Sequence, residues 1–367
     1  MLFDEPLSRI ALSLVPNIGP VLARKLVSHC GSASAVFHEK KRLLERIQGI
    51  GVATASAVND HRVFWRAEEE LGFIEKNKIQ TWFFLDNEYP RRLKHCYDAP
   101  VILYHIGNTN FNNTRVVGIV GTRRVTPYGA DLCEKLIREL EPYNVLVVSG
   151  LAYGVDSIAH KTAVECGLQT VGVLAHGLDN LYPNENRGLA KKMIKNGGLL
   201  TEYTSNTNPD RENFPSRNRI VAGLLDALIV VESGVEGGSL ITVEYAINYN
   251  RDVFAFPGAV GEERSAGCNK IIRTHKAGLI ESGADLARIM SWELNDIRKP
   301  SPQPALPIAL DPEEEKIVNS MRGQGNLYLD EISSVSGISM SRAASILLHL
   351  EFTGIVKSLP GKLYRLN

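Results

Sequence analysis

Six short apolar runs between residues 116 and 256 constrain what this chain can fold into more than any other feature. They lie at 116–120, 145–148, 170–174, 199–201, 227–231 and 253–256, at intervals of roughly 25–30 residues, the length of a strand followed by a helix. The run at 227–231, ALIVV, is unbroken, as a central parallel strand covered on both faces requires. The pattern predicts an α/β protein built on a doubly wound parallel sheet. Most of the runs end in a glycine or polar loop: Gly121-Thr122-Arg123-Arg124, Ser149-Gly150-Leu151-Ala152-Tyr153-Gly154, Ala175-His176-Gly177 and 233–238. In such a sheet these loops share the carboxyl edge and converge on one groove.

The stretch 214–239, FPSRNRIVAGLLDALIVVESGVEGGS, concentrates the chemistry. Arg217 and Arg219 flank Asn218 just ahead of a helical pattern (Ile220, Val221, Leu224, Leu225), so fixed positive charge and amide donors are expected near a helix N-terminus, where anions are favoured. The exit through Gly237, Gly238 and Ser239 into a second helix is expected to aim backbone N–H groups at the same groove. At the end of the first strand a dinucleotide site would carry G-x-G-x-x-G, whereas this chain reads GTRRVTPYG. Two guanidiniums, Arg123 and Arg124, therefore stand where glycine would make room for a dinucleotide, and no nucleotide cofactor is expected.

Bulk properties bound the partner. The 367 residues hold 41 Lys plus Arg and 41 Asp plus Glu, a formal net charge of zero. A nucleic-acid site must then be a local basic patch with salt-sensitive binding. Cys30, Cys96, Cys133, Cys166 and Cys268 form no C-x-x-C pair and no Cys/His cluster, which points to buried thiols in a reducing compartment and to no metal. Neither a secretory leader nor eighteen consecutive apolar residues is present, and a cytoplasmic protein is expected.

The flanks differ from the centre. Residues 1–66 read as short helices around two similar turns, Ile18-Gly19-Pro20 and Ile50-Gly51-Val52, the pattern of a helix-hairpin-helix or SAM-like domain. Its glycines permit approach to a phosphate, and packing alone explains them equally well. The segment 67–298 holds the sheet, preceded by a charged helix at 67–77 and two edge strands. Arg91, Arg92 and Lys94 there form a basic cluster expected to be solvated. Residues 299–312 carry five prolines and read as a semi-rigid linker. Beyond it, three helices and a hairpin at 313–367 fit a winged helix. Its last helix has one arginine and much apolar surface, which suits protein contact better than base reading.

Several groove residues have an alternative role. Arg123 could pair with Glu232; Asp156 and His160 cap and line the helix after the second strand more readily than they perform acid–base chemistry, since no nucleophile or metal ligand accompanies them. Tyr153, Tyr182 and Phe214 are aromatics on groove loops on which bases could stack. Phe214 precedes Pro215, which predicts an extended backbone there.

Six ordered motifs, GTRRVTPYG (121–129), SGLAYGVDSIAH (149–160), GLDNLYP (177–183), FPSRNRIVAGL (214–224), EGGSLITVEYA (236–246) and FAFPG (254–258), together resemble the DNA-processing protein A family, DprA, also called Smf. The resemblance covers about residues 80 to 290 and extends loosely over both flanks. It implies an extended Rossmann-like fold without a nucleotide cofactor, a protein that is not an enzyme, and a dimer formed through that domain. It also implies binding and protection of single-stranded DNA, with loading of the RecA recombinase during natural transformation. The family's groove residues carry over to Arg123 and to Arg211, Phe214, Arg217 and Arg219, with Arg124, Gly150, Gly154, Asn218, Gly237, Gly238 and Ser239 completing the expected DNA contacts. Two departures stand out: Tyr153 occupies a position that relatives fill with Lys or Arg, and Gly237-Gly238-Ser239 replaces an SGS. A second functional class remains open, because EGGSLITVE is reminiscent of the P-G-G-x-G-T-x-x-E loop of phosphoribohydrolases. Here Glu236 replaces the proline, and Thr242 precedes Glu244 by two positions instead of three, which would turn the carboxylate to another helix face.

Overall fold

In the computed structural model, residues 4–292, 310–359 and 361–366 are described, and they divide into two compact units, 1–279 and 280–367. The first opens with six helices, α1 (Glu5–Leu14), α2 (Pro20–Cys30), α3 (Ala33–His38), α4 (Lys41–Leu44), α5 (Val52–Val58) and α6 (Val63–Asn77). Gly19 and Gly51 are the N-caps of α2 and α5, so both expected glycine turns precede helices. The charged helix foreseen at 67–77 begins one turn earlier, at Val63.

The sheet follows as β1 (Gln80–Phe83), a short α7 (Arg91–Lys94), β2 (Ile102–Gly107), β3 (Val116–Val120), α8 (Pro127–Leu140), β4 (Leu146–Ser149), α9 (Val155–Glu165), β5 (Thr170–Val173), α10 (Arg187–Met193), β6 (Gly197–Thr201), α11 (Asn213–Gly223), β7 (Ala227–Val230), α12 (Ser239–Asn248), β8 (Asp252–Ala255), α13 (Ala266–Arg273) and β9 (Gly278–Leu279). Its strand order is β1-β2-β6-β5-β4-β3-β7-β8-β9. From β6 to β9 every pairing is parallel, and β2 joins β6 antiparallel. The chain runs outward from β3 in one direction through β4, β5 and β6, then returns to the other side of β3 as β7. The crevice of a doubly wound sheet opens at that reversal. The six apolar runs of the sequence are thus β3 to β8, while the two-residue β9 was too short to register as a period.

The helical segment shares its core with the sheet: Leu12, Leu26 and Phe64 belong to the same buried cluster as Phe83, Tyr104 and Leu228. Polar ties reinforce it. Arg9 pairs with Asp86 at 2.9 Å and lies over the Phe83 ring at 4.7 Å, and Arg24 donates to the Cys96 carbonyl at 3.3 Å while covering Phe84.

In the basic cluster at 91–94, Arg91 and Lys94 are exposed as expected, but Arg92 is not. Arg92 is buried, and its Nε and Nη2 donate to the two carboxylate oxygens of Asp226 at 2.6 and 2.8 Å. Asp226 Oδ2 also accepts from the Val116 amide at 2.8 Å, so this fork joins the start of β3 to the start of β7. A guanidinium whose planar donors match a carboxylate suits burial better than an ammonium does.

The second unit contains α14 (Gly283–Ile289) and then α15 (Pro312–Met321), β10 (Leu327–Tyr328), α16 (Leu329–Ser336), α17 (Met340–Phe352), β11 (Val356–Leu359) and β12 (Leu363–Leu366), with strand order β10-β12-β11. This is a winged helix around Ile317, Ile332, Leu347 and Leu350. The expected proline-rich linker falls mostly outside the described residues; its last position, Pro312, begins α15, which Asp311 caps and where Glu314 completes a capping box. On α17, Met340, Leu348 and Phe352 are exposed, and Arg342 is held by Glu313 at 2.7 Å. An exposed face of this kind suits contact with protein better than readout of bases.

Removing one partner of the Arg92–Asp226 fork strands the other charge in the core. Asp226→Ala is expected to lose about 3–5 kcal/mol of folding stability, read from urea denaturation midpoints; a loss near that of an exposed ion pair would show that the fork contributes little.

Candidate nucleic-acid interface

A cleft of about 740 Å³ opens at the carboxyl edge of the sheet, between the loops after β3 and β4 on one side and α11 and the start of α12 on the other. Arg123, Gly150, Arg211, Phe214, Arg217, Asn218, Gly237, Gly238 and Ser239 all line it. Tyr153 lines an adjoining recess with Tyr182, His176 and Phe214.

Its floor is set by Arg217. Helix α11 begins at Asn213, earlier than the sequence pattern implied, so Arg217 lies inside the helix and turns inward. It is 4 % exposed. Its Nη1 donates to the carbonyls of Gly150, at 2.8 Å, and of Val173, which tie α11 to the ends of β4 and β5. Burial pushes its pKa down to about 10, partly countered by Asp156, so it remains a cation at neutral pH. Asp156 is itself buried, which raises its pKa, and Arg217 is the largest opposing influence. Its Oδ2 accepts from the amides of Gly150 and Ala152 at 3.0 and 3.3 Å. The amides of Gly150 and Ala152 are therefore taken within the protein. A Cβ at Gly150 would come 2.6 Å from Arg217 Nη2 and 2.8 Å from Asp156 Oδ2, so glycine is required there by this buried pair.

His160 is buried, and that burial, with Arg217 nearby, pushes its pKa down to about 3. Thr170 Oγ1 donates to the Val147 carbonyl at 3.0 Å and so accepts from His160 Nδ1 at 2.6 Å. A neutral imidazole locked in this way holds α9 to β5 and is no acid or base for a ligand.

Above the floor stands an aromatic row. The Tyr153 and Tyr182 rings are 6.4 Å apart and those of Tyr182 and Phe214 are 6.0 Å apart, both edge-on. His176 Nε2 accepts from the Tyr182 amide at 3.2 Å while its Nδ1 donates to the Gly177 carbonyl at 2.9 Å, which fixes the backbone carrying that ring. Phe214 is half-buried in the first turn of α11; the extended backbone expected ahead of Pro215 is overturned, because the first turn of a helix tolerates a proline. The guanidinium of Arg123 lies 5.2 Å from the Phe214 ring centre and that of Arg217 6.0 Å.

Arg123 is exposed and has no carboxylate partner among the described residues. The alternative pairing with Glu232 is absent: that buried carboxylate accepts from the amide and hydroxyl of Thr126 at 2.9 and 2.7 Å. Arg211 is likewise exposed at the cleft rim. Other expected contacts are differently placed. Arg219 turns away from the cleft, paired with Glu202 and donating to the Asp98 carbonyl at 2.7 Å. Arg124 is exposed outside the lining. Gly154 has φ +74°, and a Cβ there would meet the Thr122 carbonyl oxygen at 2.3 Å, so its role is to let the β4 turn pack on the β3 turn. Ser239 Oγ donates to Ser233 Oγ at 2.8 Å, and the Gly237 amide to the Gly234 carbonyl at 3.1 Å. Asn218 spans from α11 to the Gly238 carbonyl at 3.5 Å and accepts from Arg217 Nε at 3.2 Å. Tyr153 donates to Glu185 at 2.8 Å.

Glu244, the carboxylate a phosphoribohydrolase loop would need, is absent from the cleft lining and instead pairs with Lys276 in a separate depression beside α13. Sequence reasoning missed Asp156 as the partner of Arg217 and His176 as the support of Tyr182. The only signal was their place in, or one turn after, loops bound for the carboxyl edge.

Comparison with known proteins decides the family. The model described as DNA recombination-mediator protein A matches residues 80–291. The chain belongs to this family. Within it, the DprA winged helix domain matches residues 300–362 and a SAM-like helix-hairpin-helix tandem residues 10–60. The DNA processing protein DprA of Streptococcus pneumoniae is 40% identical over 68% of this chain and 87% of its own. A solved structure of the pneumococcal DprA superposes with a TM-score of 0.65 and 33% identity, covering 77% of this chain and 97% of that one. A structure of DNA processing protein A from Helicobacter pylori, described for its single-stranded DNA binding mode, superposes with a TM-score of 0.53 and 30% identity over 58% of this chain and 96% of that one. No helix among the described residues of this DprA-family chain is long and apolar enough to cross a membrane.

Arg217 and Arg219 should behave as structural arginines. Arg217→Ala leaves the Gly150 and Val173 carbonyls without their donor and removes the cation nearest the buried Asp156 carboxylate, and about 3–5 kcal/mol of stability should be lost. Arg219→Ala should lower the melting temperature without altering the salt dependence of any ligand bound in the cleft; an altered slope would return Arg219 to the binding surface.

Proposed function

We propose that this protein binds single-stranded DNA along the cleft at the carboxyl edge of its sheet, with little regard to base sequence. The observation that carries this reading is Arg123: an exposed guanidinium without a carboxylate partner among the described residues, set against the Phe214 ring, with Tyr182 and Tyr153 continuing the aromatic row. Phosphates would engage Arg123 and Arg211, while bases stack on the rings at roughly 1–3 kcal/mol each. Arg217 supports the surface from beneath. A chain of zero formal net charge confines the attraction to this patch, so binding should fall steeply with salt. The single-stranded DNA binding described for the Helicobacter pylori relative supports a single strand as the ligand.

On the family resemblance, the proposal extends to protection of incoming strands, loading of the RecA recombinase in natural transformation, and action as a cytoplasmic homodimer without a cofactor. The absence of Glu244 from the cleft favours a mediator over a nucleotide-processing enzyme.

A salt titration with single- and double-stranded oligonucleotides tests the reading. Single strands should bind more tightly, and Arg123→Ala should flatten the log–log salt slope by about 0.7, one phosphate contact on a single strand. Equal affinity for both forms, or no binding at low salt, would overturn it.

Phe214 gives a separate test of the stacking role. Phe214→Ala should weaken single-strand affinity by about 1–3 kcal/mol. Because the ring is only half-buried, its loss of folding stability should stay below the ~3–5 kcal/mol of a core phenylalanine. A collapsed denaturation midpoint with unchanged affinity of the folded protein would make Phe214 a packing residue.

A further inference from the structure

The loop between β6 and α11, residues 202–212, delivers Arg211 to the cleft rim and leads into Phe214, yet its anchor lies on α6, ahead of the sheet. Glu68, Glu69 and Glu70 form an acidic run on α6. The first two are exposed, as such runs usually are, whereas Glu70 is 2 % exposed. A buried carboxylate needs several donors, and Glu70 finds them in the distant loop. It accepts from the Ser205 amide at 3.0 and 2.9 Å through its two oxygens, and from the Ser205 hydroxyl at 2.6 Å. Arg66, one turn earlier on α6, donates to Glu70 at 2.8 Å and also reaches the Ser205 carbonyl and hydroxyl.

A single residue of the loop thus has its amide, carbonyl and hydroxyl all held by α6. The held segment is a tight turn. Thr207 N donates to the Thr204 carbonyl, Asn206 has φ +62°, and the Thr207 carbonyl accepts from the Gly177 amide at 3.2 Å. The loop is therefore pinned between α6 and the segment after β5 that holds Tyr182 and His176. Beyond the pin, Pro209 and Arg211 line the cleft.

We infer that Glu70, with Arg66, is a positioning residue for strand binding: helix α6 holds the 202–212 loop so that Arg211 and Phe214 face the strand. This inference rests on the strand-binding reading of the cleft. Arg123 stands on the loop after β3, outside the clamp, and so does not depend on it.

The test is a pair of double-mutant cycles, using a fluorescent oligothymidylate and the full chain. Glu70→Gln keeps the shape but presents donors or a weaker acceptor to Ser205, and should weaken binding roughly three- to tenfold. In that background Arg211→Ala should cost much less than it does alone, whereas the loss from Arg123→Ala should remain in full. Hydrogen exchange without DNA should show the amides of 203–212 exchanging faster in Glu70→Gln, with those of β3 and β4 unchanged. Ser205→Ala is the milder variant, should Glu70→Gln fail to fold, and should shift affinity and exchange in the same direction. Full retention of both arginine losses in the Glu70→Gln background, or wild-type affinity and loop exchange in both clamp variants, would overturn the inference. If the unaltered protein bound no oligothymidylate, the reading of the cleft would fail, and the exchange measurement would still report whether Glu70 holds the loop.

Discussion

A guanidinium buried at the edge of a sheet is costly unless every donor meets an acceptor, and the cleft is shaped by how Arg217 meets that requirement. Strand ends supply carbonyls that no longer have a ladder partner; Arg217 takes those of Gly150 and Val173, and Asp156 provides a nearby negative charge. The same carboxylate collects the amides of the β4 loop. Three elements distant in sequence are thereby locked around one cation. What remains facing solvent is the Phe214 ring and the charge of Arg123 beside it.

Helix phase divides the arginines of FPSRNR. Successive residues on an α-helix advance by about 100°, so positions two apart face nearly opposite ways. With Arg217 directed at the strand ends, Arg219 is carried to the far side of α11, where Glu202, Asp98 and Tyr249 form a partly buried polar cluster. Three basic residues in this region of sequence therefore have three roles: Arg211 at the rim, Arg217 beneath the floor and Arg219 behind the helix.

The glycine loops are likewise architectural. Gly150 makes room for the Arg217–Asp156 pair, and Gly154 admits the neighbouring turn. With the loop amides of Gly150 and Gly237 already bonded within the protein, the cleft presents two exposed guanidiniums beside a row of rings. Such a surface differs from a nucleotide pocket, where backbone amides wrap a phosphate.

By itself the sequence determined the element order. The β3 to β8 runs, the glycine turns before α2 and α5, and the helix–hairpin succession of the winged helix all follow from periodicity and turn chemistry, which act over a few residues. It also brought most of the cleft residues to one edge, because loops that follow parallel strands must emerge there. Only the tertiary structure decided which of those side chains face solvent. The Arg92–Asp226 fork, the Arg217–Gly150 contact and the Glu70–Ser205 clamp join residues 134, 67 and 135 positions apart. A run such as Arg91–Lys94, or Glu68 to Glu70, reads as a solvated face, since nothing local distinguishes the buried member from its exposed neighbours. Its partner comes from the far side of the fold, and burial of a charge is settled by that partner.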